Sequence, residues 1–147
     1  LTTALTGLHP ASSHVPFYST VTGAPLDTTE LNAGYWVQNL RRTVRFEEVT
    51  RRLLDDGRDA FIEISAHPVL GMSLQDTFED HSDSPAITLT SLRRDDGDLD
   101  RFLTSLSEAH VHGVDIDWHA AFTDHGAQRI QLPTYAFQHD HYWLENV

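Results

Sequence analysis

Histidine is the residue type of this chain that could most readily do chemistry, and ten of the 147 residues are histidines. Two pairs stand in a His-x-His arrangement, His110 with His112 and His139 with His141. Imidazole nitrogens bind zinc, but a zinc site needs three or four convergent ligands whose orientation a surrounding shell fixes. Two pairs in separate segments do not supply that spacing. We therefore predict no metal site.

His67 stands in a different context, because His67 and Pro68 form a turn between a predicted strand and a predicted helix. Such turns often carry catalytic groups in α/β sheets, where a histidine can act as the general base for a nucleophile. No serine of the sequence stands in a Gly-x-Ser-x-Gly nucleophile elbow, and the sequence has no glycine-rich phosphate loop. We therefore predict a structural role for His67 and Pro68.

Strands and helices that alternate along the chain must position these residues. Strands are predicted at residues 15–21, 60–65 (short and buried) and 86–92. Helices are predicted, from apolar residues at helical spacing, at residues 31–40, 46–54 and 69–78. Short connections between alternating elements predict an α/β fold with mainly parallel strands.

The last third of the sequence has a different character. A further helix, ending near Gly113, is predicted from a stripe of six residues: Leu99, Phe102, Leu103, Leu106, Ala109 and His110. Residues 114–118 alternate between apolar and polar like an edge strand. The tail is aromatic and has little periodicity. Because it is too apolar to stay in water, we expect it to lie across another surface.

Composition limits the partners of this chain. The net charge is −12 and lysine is absent, which argues against a nucleic-acid surface. No apolar run approaches the roughly 20 residues of a membrane span, so we expect no membrane partner. The absence of cysteine excludes disulfides and thiolate metal sites and is typical of a reducing cytoplasm. The sequence begins at Leu1 rather than at methionine, so we expect the polypeptide to continue upstream.

Four stretches, in order, resemble motifs of the acyltransferase domains of modular type I polyketide synthases. Three of them are VPFYSTVTG at 15–23, YWVQNLRRTVRF at 35–46 and FIEISAHPVL at 61–70. The fourth, LPTYAFQHDHYWL at 132–144, is similar to the signature that closes the linker after such acyltransferases. The resemblance covers essentially the whole chain, and four motifs in order are far more specific than any one alone.

The resemblance implies a division into three parts. Residues 1–92 are expected to be the C-terminal part of the larger acyltransferase subdomain, with parallel strands and helices. Residues 93–131 are expected to be a ketosynthase–acyltransferase linker segment, with one helix and one strand. Residues 132–147 are expected to be the extended aromatic tail that follows this linker.

The resemblance also implies a function. Such domains move a malonyl-type extender unit from coenzyme A to the phosphopantetheine thiol of an acyl carrier protein, through an acyl ester on a serine that a histidine activates. In the family this serine and histidine, and an arginine that binds the extender carboxylate, precede the VPFYSTVTG motif. We therefore expect this chain to lack them, to be inactive by itself and to bind no cofactor.

The resemblance assigns a role to five residues. Asn39 aligns with the residue whose backbone carbonyl orients the catalytic imidazole, although the residues alone favour a polar residue at a helix C-terminus. Four aromatic residues of the tail are expected to contact the ketosynthase: Tyr135, Phe137, Tyr142 and Trp143. The implied partners are the N-terminal part of the acyltransferase, the ketosynthase and the carrier protein. Two alternatives stay open: a purely structural, interdomain docking segment of the synthase, and a free-standing binding protein.

Overall fold

The structure is a computed structural model that describes residues 3–81, 85–137 and 140. The chain divides into two compact units, Leu1–Ile116 and Asp117–Val147, and each is described by itself. In the described residues no helix combines the length and apolarity that crossing a membrane requires.

The first unit begins with a hairpin. Strands β1 (Phe17–Ser19) and β2 (Ala24–Leu26) pair antiparallel, with Phe17 opposite Leu26. Gly23 has a φ of +70°, which glycine adopts without the steric cost that a Cβ atom brings. The hairpin therefore turns at the Thr22-Gly23 signal that ends the predicted strand.

Two helices follow the hairpin. Helix α1 (Ala33–Arg41) begins at Asn32, whose side-chain oxygen accepts hydrogen bonds from Gly34 N–H and Tyr35 N–H. Helix α2 (Phe46–Asp55) buries Val49, Thr50 and Leu54 and carries Glu47 and Glu48 in its first turn. It ends just before Gly57, whose φ of +78° is the left-handed conformation predicted there.

A strand–helix–strand unit completes the α/β layer. Strand β3 (Ala60–Glu63) pairs parallel with β4 (Ile87–Thr90), and helix α3 (Gly71–Asp80) connects them. The core between α2 and α3 contains Leu54, Leu74 and Phe78, with Phe46, Phe61 and Ala86 packed against it. The predicted α/β class with parallel strands is therefore confirmed.

Strand β3 is less buried than the sequence predicts. Phe61 packs against Phe78, with ring centroids 5.1 Å apart. Ile62 points the other way and is 46% exposed, and Ile64, just after the strand, is 79% exposed. Successive side chains of a strand face opposite sides of its sheet, so Phe61 lies on one face and Ile62 on the other. The prediction of a buried strand is wrong, because the Ile62 side chain is exposed.

Helix α4 (Leu99–Val111) has the predicted extent, but its buried face differs from the predicted apolar stripe. The buried residues are Arg101, Ser105 and Ala109. The Ser105 hydroxyl donates to the Ser91 carbonyl at 2.8 Å, and this bond turns a polar face toward β4. Leu99 and Phe102 are exposed as a result.

The second unit begins with a short helix, α5 (Trp118–Phe122), instead of the predicted end of an edge strand. Residues 114–118 form no strand in the structure, because the Asp117 carboxylate accepts a hydrogen bond from Ala120 N–H and starts a helix there. The prediction of a strand in the linker segment is therefore wrong. His139, His141, Tyr142 and Trp143 lie outside the described residues.

Candidate functional site

The C-terminal end of α1 is the part of the structure that bears most directly on the predicted chemistry. Asn39 lies in the last turn of α1 and is half-buried. Carbonyls in the last turn of a helix have no partner within the helix. The Arg42 N–H donates to the Gln38 carbonyl at 2.9 Å, whereas no described residue donates to the Asn39 carbonyl. This carbonyl is an open acceptor at the partially negative end of a helix dipole, which suits an imidazole N–H.

A buried hydrogen bond connects α1 to the hairpin. Ser19 is fully buried, and its Oγ lies 2.9 Å from Tyr35 Oη. The same Oγ accepts hydrogen bonds from Val21 N–H at 3.1 Å and from Thr22 N–H at 3.3 Å. Either hydroxyl can be the donor of the bond between Ser19 and Tyr35. The Ser19 hydroxyl therefore joins the hairpin turn to α1.

The loop after β3 is organised by a buried carboxylate. Glu63 accepts hydrogen bonds from Val69 N–H at 3.0 Å, from Leu70 N–H at 2.9 Å and from the Ser65 hydroxyl at 3.1 Å. Burial alone raises the pKa of the Glu63 carboxyl, but these bonds and the nearby His67 outweigh it and hold that pKa below its ordinary value. Glu63 is therefore ionised and fixes the shape of the loop that carries His67.

His67 is exposed at the tip of this loop, and Pro68 is half-buried beside it. The Arg94 N–H donates to His67 Nδ1 at 3.3 Å, so the ring connects the loop after β3 to the turn after β4. No described serine or threonine hydroxyl forms a hydrogen bond with this ring. The contact agrees with the predicted structural role of His67, which stays a prediction.

Apolar side chains are exposed on several elements of the first unit. Strongly exposed examples are Val15, Leu40, Ile64, Val69 and Met72. An apolar groove of about 560 Å³ also opens between the hairpin, α2, β3 and α3. Contiguous exposed apolar surface is typical of sites that bind another protein, a membrane or a small ligand.

The tail presents two of the four aromatic residues predicted to make interdomain contacts. Tyr135 and Phe137 pack edge to face, with ring centroids 4.9 Å apart, and both are largely exposed. The described residues contain no group of three or more His, Cys, Asp or Glu side chains that could hold a metal ion.

Sequence reasoning missed Glu63, Ser19 and Tyr35 as organising residues. A signal for Glu63 existed, since it is an acidic residue inside the apolar run FIEIS. Ser19 gave no comparable signal, because a serine in a β-branched and aromatic run is usually a half-exposed strand residue. Its partner Tyr35 is 16 residues away along the chain.

The chain is similar to known proteins over nearly its whole length. The family model described as "Acyl transferase domain" matches residues 1–116. Polyketide synthase GfsA of Streptomyces halstedii is 53% identical over 144 residues, which are 98% of this chain and 2% of that protein. Erythronolide synthase EryA3 of Saccharopolyspora erythraea is 45% identical over 146 residues, which are 98% of this chain and 4% of that protein.

Two solved structures share this fold. The acyltransferase domain from module 8 of the salinomycin polyketide synthase superposes with a TM-score of 0.75 at 53% identity, over 79% of this chain and 27% of that one. A loading acyltransferase from the avermectin modular polyketide synthase gives a TM-score of 0.68 at 45% identity, over 74% of this chain and 33% of that one. The chain thus spans a few per cent of the curated relatives and about a third or less of these two structures.

Proposed function

The chain belongs to the acyl transferase domain family, as a C-terminal region of a polyketide synthase acyltransferase domain, and we propose that this domain moves a malonyl-type extender unit from coenzyme A to an acyl carrier protein. The observation that carries the proposal is the fold match at 53% identity to an acyltransferase domain of a polyketide synthase. The matching names of the relatives, which are polyketide and erythronolide synthases, support it.

Within this function, Asn39 orients the catalytic histidine. Its open carbonyl accepts the N–H of one imidazole nitrogen, which fixes the tautomer and turns the other nitrogen toward the serine. The open acceptor at the end of α1 supports this role. The serine and histidine, and the arginine that binds the extender carboxylate, come from the N-terminal part of the acyltransferase.

His67 and Pro68 keep a structural role in this proposal, supported by the His67 contact with Arg94 N–H. Residues 1–92 form part of the acyltransferase subdomain, and 93–131 form the ketosynthase–acyltransferase linker segment, of which the family match includes the portion up to residue 116. Residues 132–147 run over the ketosynthase through Tyr135, Phe137, Tyr142 and Trp143. The exposure of the first two supports this contact.

The partners in this proposal are the N-terminal part of the acyltransferase, the ketosynthase and the carrier protein. The exposed apolar groove of the first unit supports the first of them. The location is the cytoplasm, supported by the absence of cysteine.

A transfer assay tests the proposal in the complete acyltransferase domain that contains these residues. Labelled malonyl-, methylmalonyl- and acetyl-coenzyme A are offered with a phosphopantetheinylated carrier protein, and label on the carrier thiol is measured. We expect transfer from at least one carboxylated donor and little from the acetyl donor, because an arginine holds the carboxylate. A complete domain that transfers none of them would leave this chain as a structural, interdomain docking segment.

A further inference from the structure

We infer that Tyr35 is a positioning residue for acyl transfer: its hydrogen bond with the buried Ser19 hydroxyl fixes α1 on the hairpin and so aims the Asn39 carbonyl at the catalytic imidazole. The inference rests on the proposed function and adds to it the residues that hold the orienting group in place. Neither Ser19 nor Tyr35 touches substrate in this account.

The geometry of α1 connects Tyr35 to Asn39. The two residues are four apart, so they lie on the same face of the helix, about 6 Å apart along its axis. At its N-terminal end the helix is held by Asn32, which accepts from Gly34 N–H and Tyr35 N–H. The Tyr35 hydroxyl provides a second anchor, on the side chain, so it limits rotation of the helix about its axis.

The Ser19 side of the pair is rigid. Its hydroxyl oxygen accepts two backbone N–H groups of the turn, and Gly23 N–H donates to the Ser19 carbonyl at 2.8 Å. The same hydroxyl shares a hydrogen bond of 2.9 Å with Tyr35 Oη, in which either oxygen can be the donor. Ser19 is 0% exposed, so water does not reach its hydroxyl. Loss of the Tyr35 hydroxyl therefore leaves a buried Ser19 hydroxyl without this partner, and we expect α1 to shift to relieve it.

The decisive variant is Tyr35→Phe in the complete acyltransferase domain, assayed well below its melting temperature. We expect kcat to fall roughly tenfold, because a displacement of about 1 Å near a reacting group costs up to 10²-fold. We expect KM for the acyl-coenzyme A donor to stay within about twofold, because α1 orients the base and not the donor.

A pH profile separates positioning from general destabilisation. An imidazole N–H that donates to a carbonyl favours the charged ring and raises its pKa. A poorly aimed Asn39 carbonyl therefore lowers that pKa, and the acid limb of the kcat profile moves down by about half a pH unit. Ser107→Ala is the control: it removes an exposed hydroxyl that donates to the Leu103 carbonyl of its own helix, and it should leave both kcat and the acid limb unchanged.

Ser19→Ala removes the same hydrogen bond by deleting the Ser19 hydroxyl instead. It tests the inference if the Tyr35→Phe variant does not fold. It should move the acid limb in the same direction, and the double variant should be no worse than the poorer single one. Two results in a variant that folds would overturn the inference. One is an unchanged kcat, and the other is a fall in kcat while the acid limb of the pH profile stays where it is. Failure of the proposed function is a different result, since the unmodified domain would then transfer no acyl group.

Discussion

Gly23, in the turn between β1 and β2, lies directly against the Arg45 side chain, and a Cβ atom at Gly23 would come within 2.7 Å of Arg45 Cζ and 2.5 Å of Glu48 Oε1. Arg45 donates to both carboxylate oxygens of Glu48 and to the Thr22 carbonyl. Its N–H also donates to the Thr20 carbonyl at 2.8 Å. The start of α2 therefore holds the hairpin turn, and a glycine at the turn makes this close approach possible.

Gly23→Ala should destabilise the complete domain more than Gly57→Ala does. Both glycines have positive φ, so each substitution costs about 1 kcal/mol in backbone strain. Of the two, only Gly23 has atoms within 4 Å of the added Cβ, and displacing Arg45 adds about 1 kcal/mol for its lost hydrogen bonds. Urea unfolding measures the loss of unfolding free energy in each variant. Equal losses in the two variants would show that Arg45 does not hold the turn.

Glu63→Gln should cost about 1–3 kcal/mol of unfolding free energy at neutral pH. Glutamine places a donor where the carboxylate accepts from Val69 N–H and Leu70 N–H, so one of these N–H groups loses its partner. Glu79→Gln, on the exposed side of α3, is the matched control and should change the free energy by less than about 0.5 kcal/mol.

The effect of Glu63→Gln should depend on pH. The pKa of Glu63 is lower in the folded protein than its ordinary value of 4.5. The ionised carboxylate therefore contributes stability that is fully present above about pH 4.5 and is lost as the pH falls through the folded pKa. Unfolding measured from neutral to acidic pH should show the difference between the unmodified protein and the Glu63→Gln variant shrinking below that pH. A constant difference would contradict the ionised carboxylate as its cause.

Ser105→Ala should lower the free energy of unfolding by about 1–3 kcal/mol. It removes the donor to the buried Ser91 carbonyl and an acceptor of the Arg101 guanidinium. Ser107→Ala is matched to it, since the exposed Ser107 hydroxyl donates only to the Leu103 carbonyl of its own helix. We expect the free energy of unfolding of the Ser107→Ala variant to lie within about 0.5 kcal/mol of that of the unmodified protein. Denaturant unfolding compares them, and similar losses at both positions would show that the contact with β4 contributes little.

Replacing both Tyr135 and Phe137 by alanine should loosen the ketosynthase–acyltransferase pair, and so should replacing Tyr142 and Trp143. Aromatic side chains bury large areas, so their loss should speed proteolytic cleavage between the two domains several-fold. Limited proteolysis of the intact synthase measures this. Glu79→Gln, an exposed change on α3 outside the tail, should leave the cleavage rate unchanged. Unaltered resistance in both tail variants would remove the tail from the interface.

Local signals allowed part of this fold to be predicted. The face of α2 with Val49 and Leu54 follows helical spacing, and Gly57 ends it in the conformation that glycine favours. The edge strand expected at 114–118 did not form, because alternation over so few residues competes with the cap that Asp117 supplies to a helix.

Long-range hydrogen bonds determined the rest. The buried face of α4 is polar because Ser105 reaches Ser91, 14 residues earlier, and no periodicity within the helix reports that bond. The pairing of Ser19 with Tyr35 is hidden for the same reason. For the candidate site, the motif resemblance pointed to Asn39, whereas the open carbonyl at that position is visible only in the structure.

The central claim is that this chain supplies part of an acyltransferase active site through the end of α1. A crystal structure of the complete acyltransferase domain tests it most directly, by the distance from the Asn39 carbonyl oxygen to the nearest imidazole nitrogen. We predict a distance of about 2.7–3.2 Å, to a histidine whose other ring nitrogen faces a serine hydroxyl. An Asn39 carbonyl that faces solvent, with no histidine ring within hydrogen-bonding reach, would contradict the account.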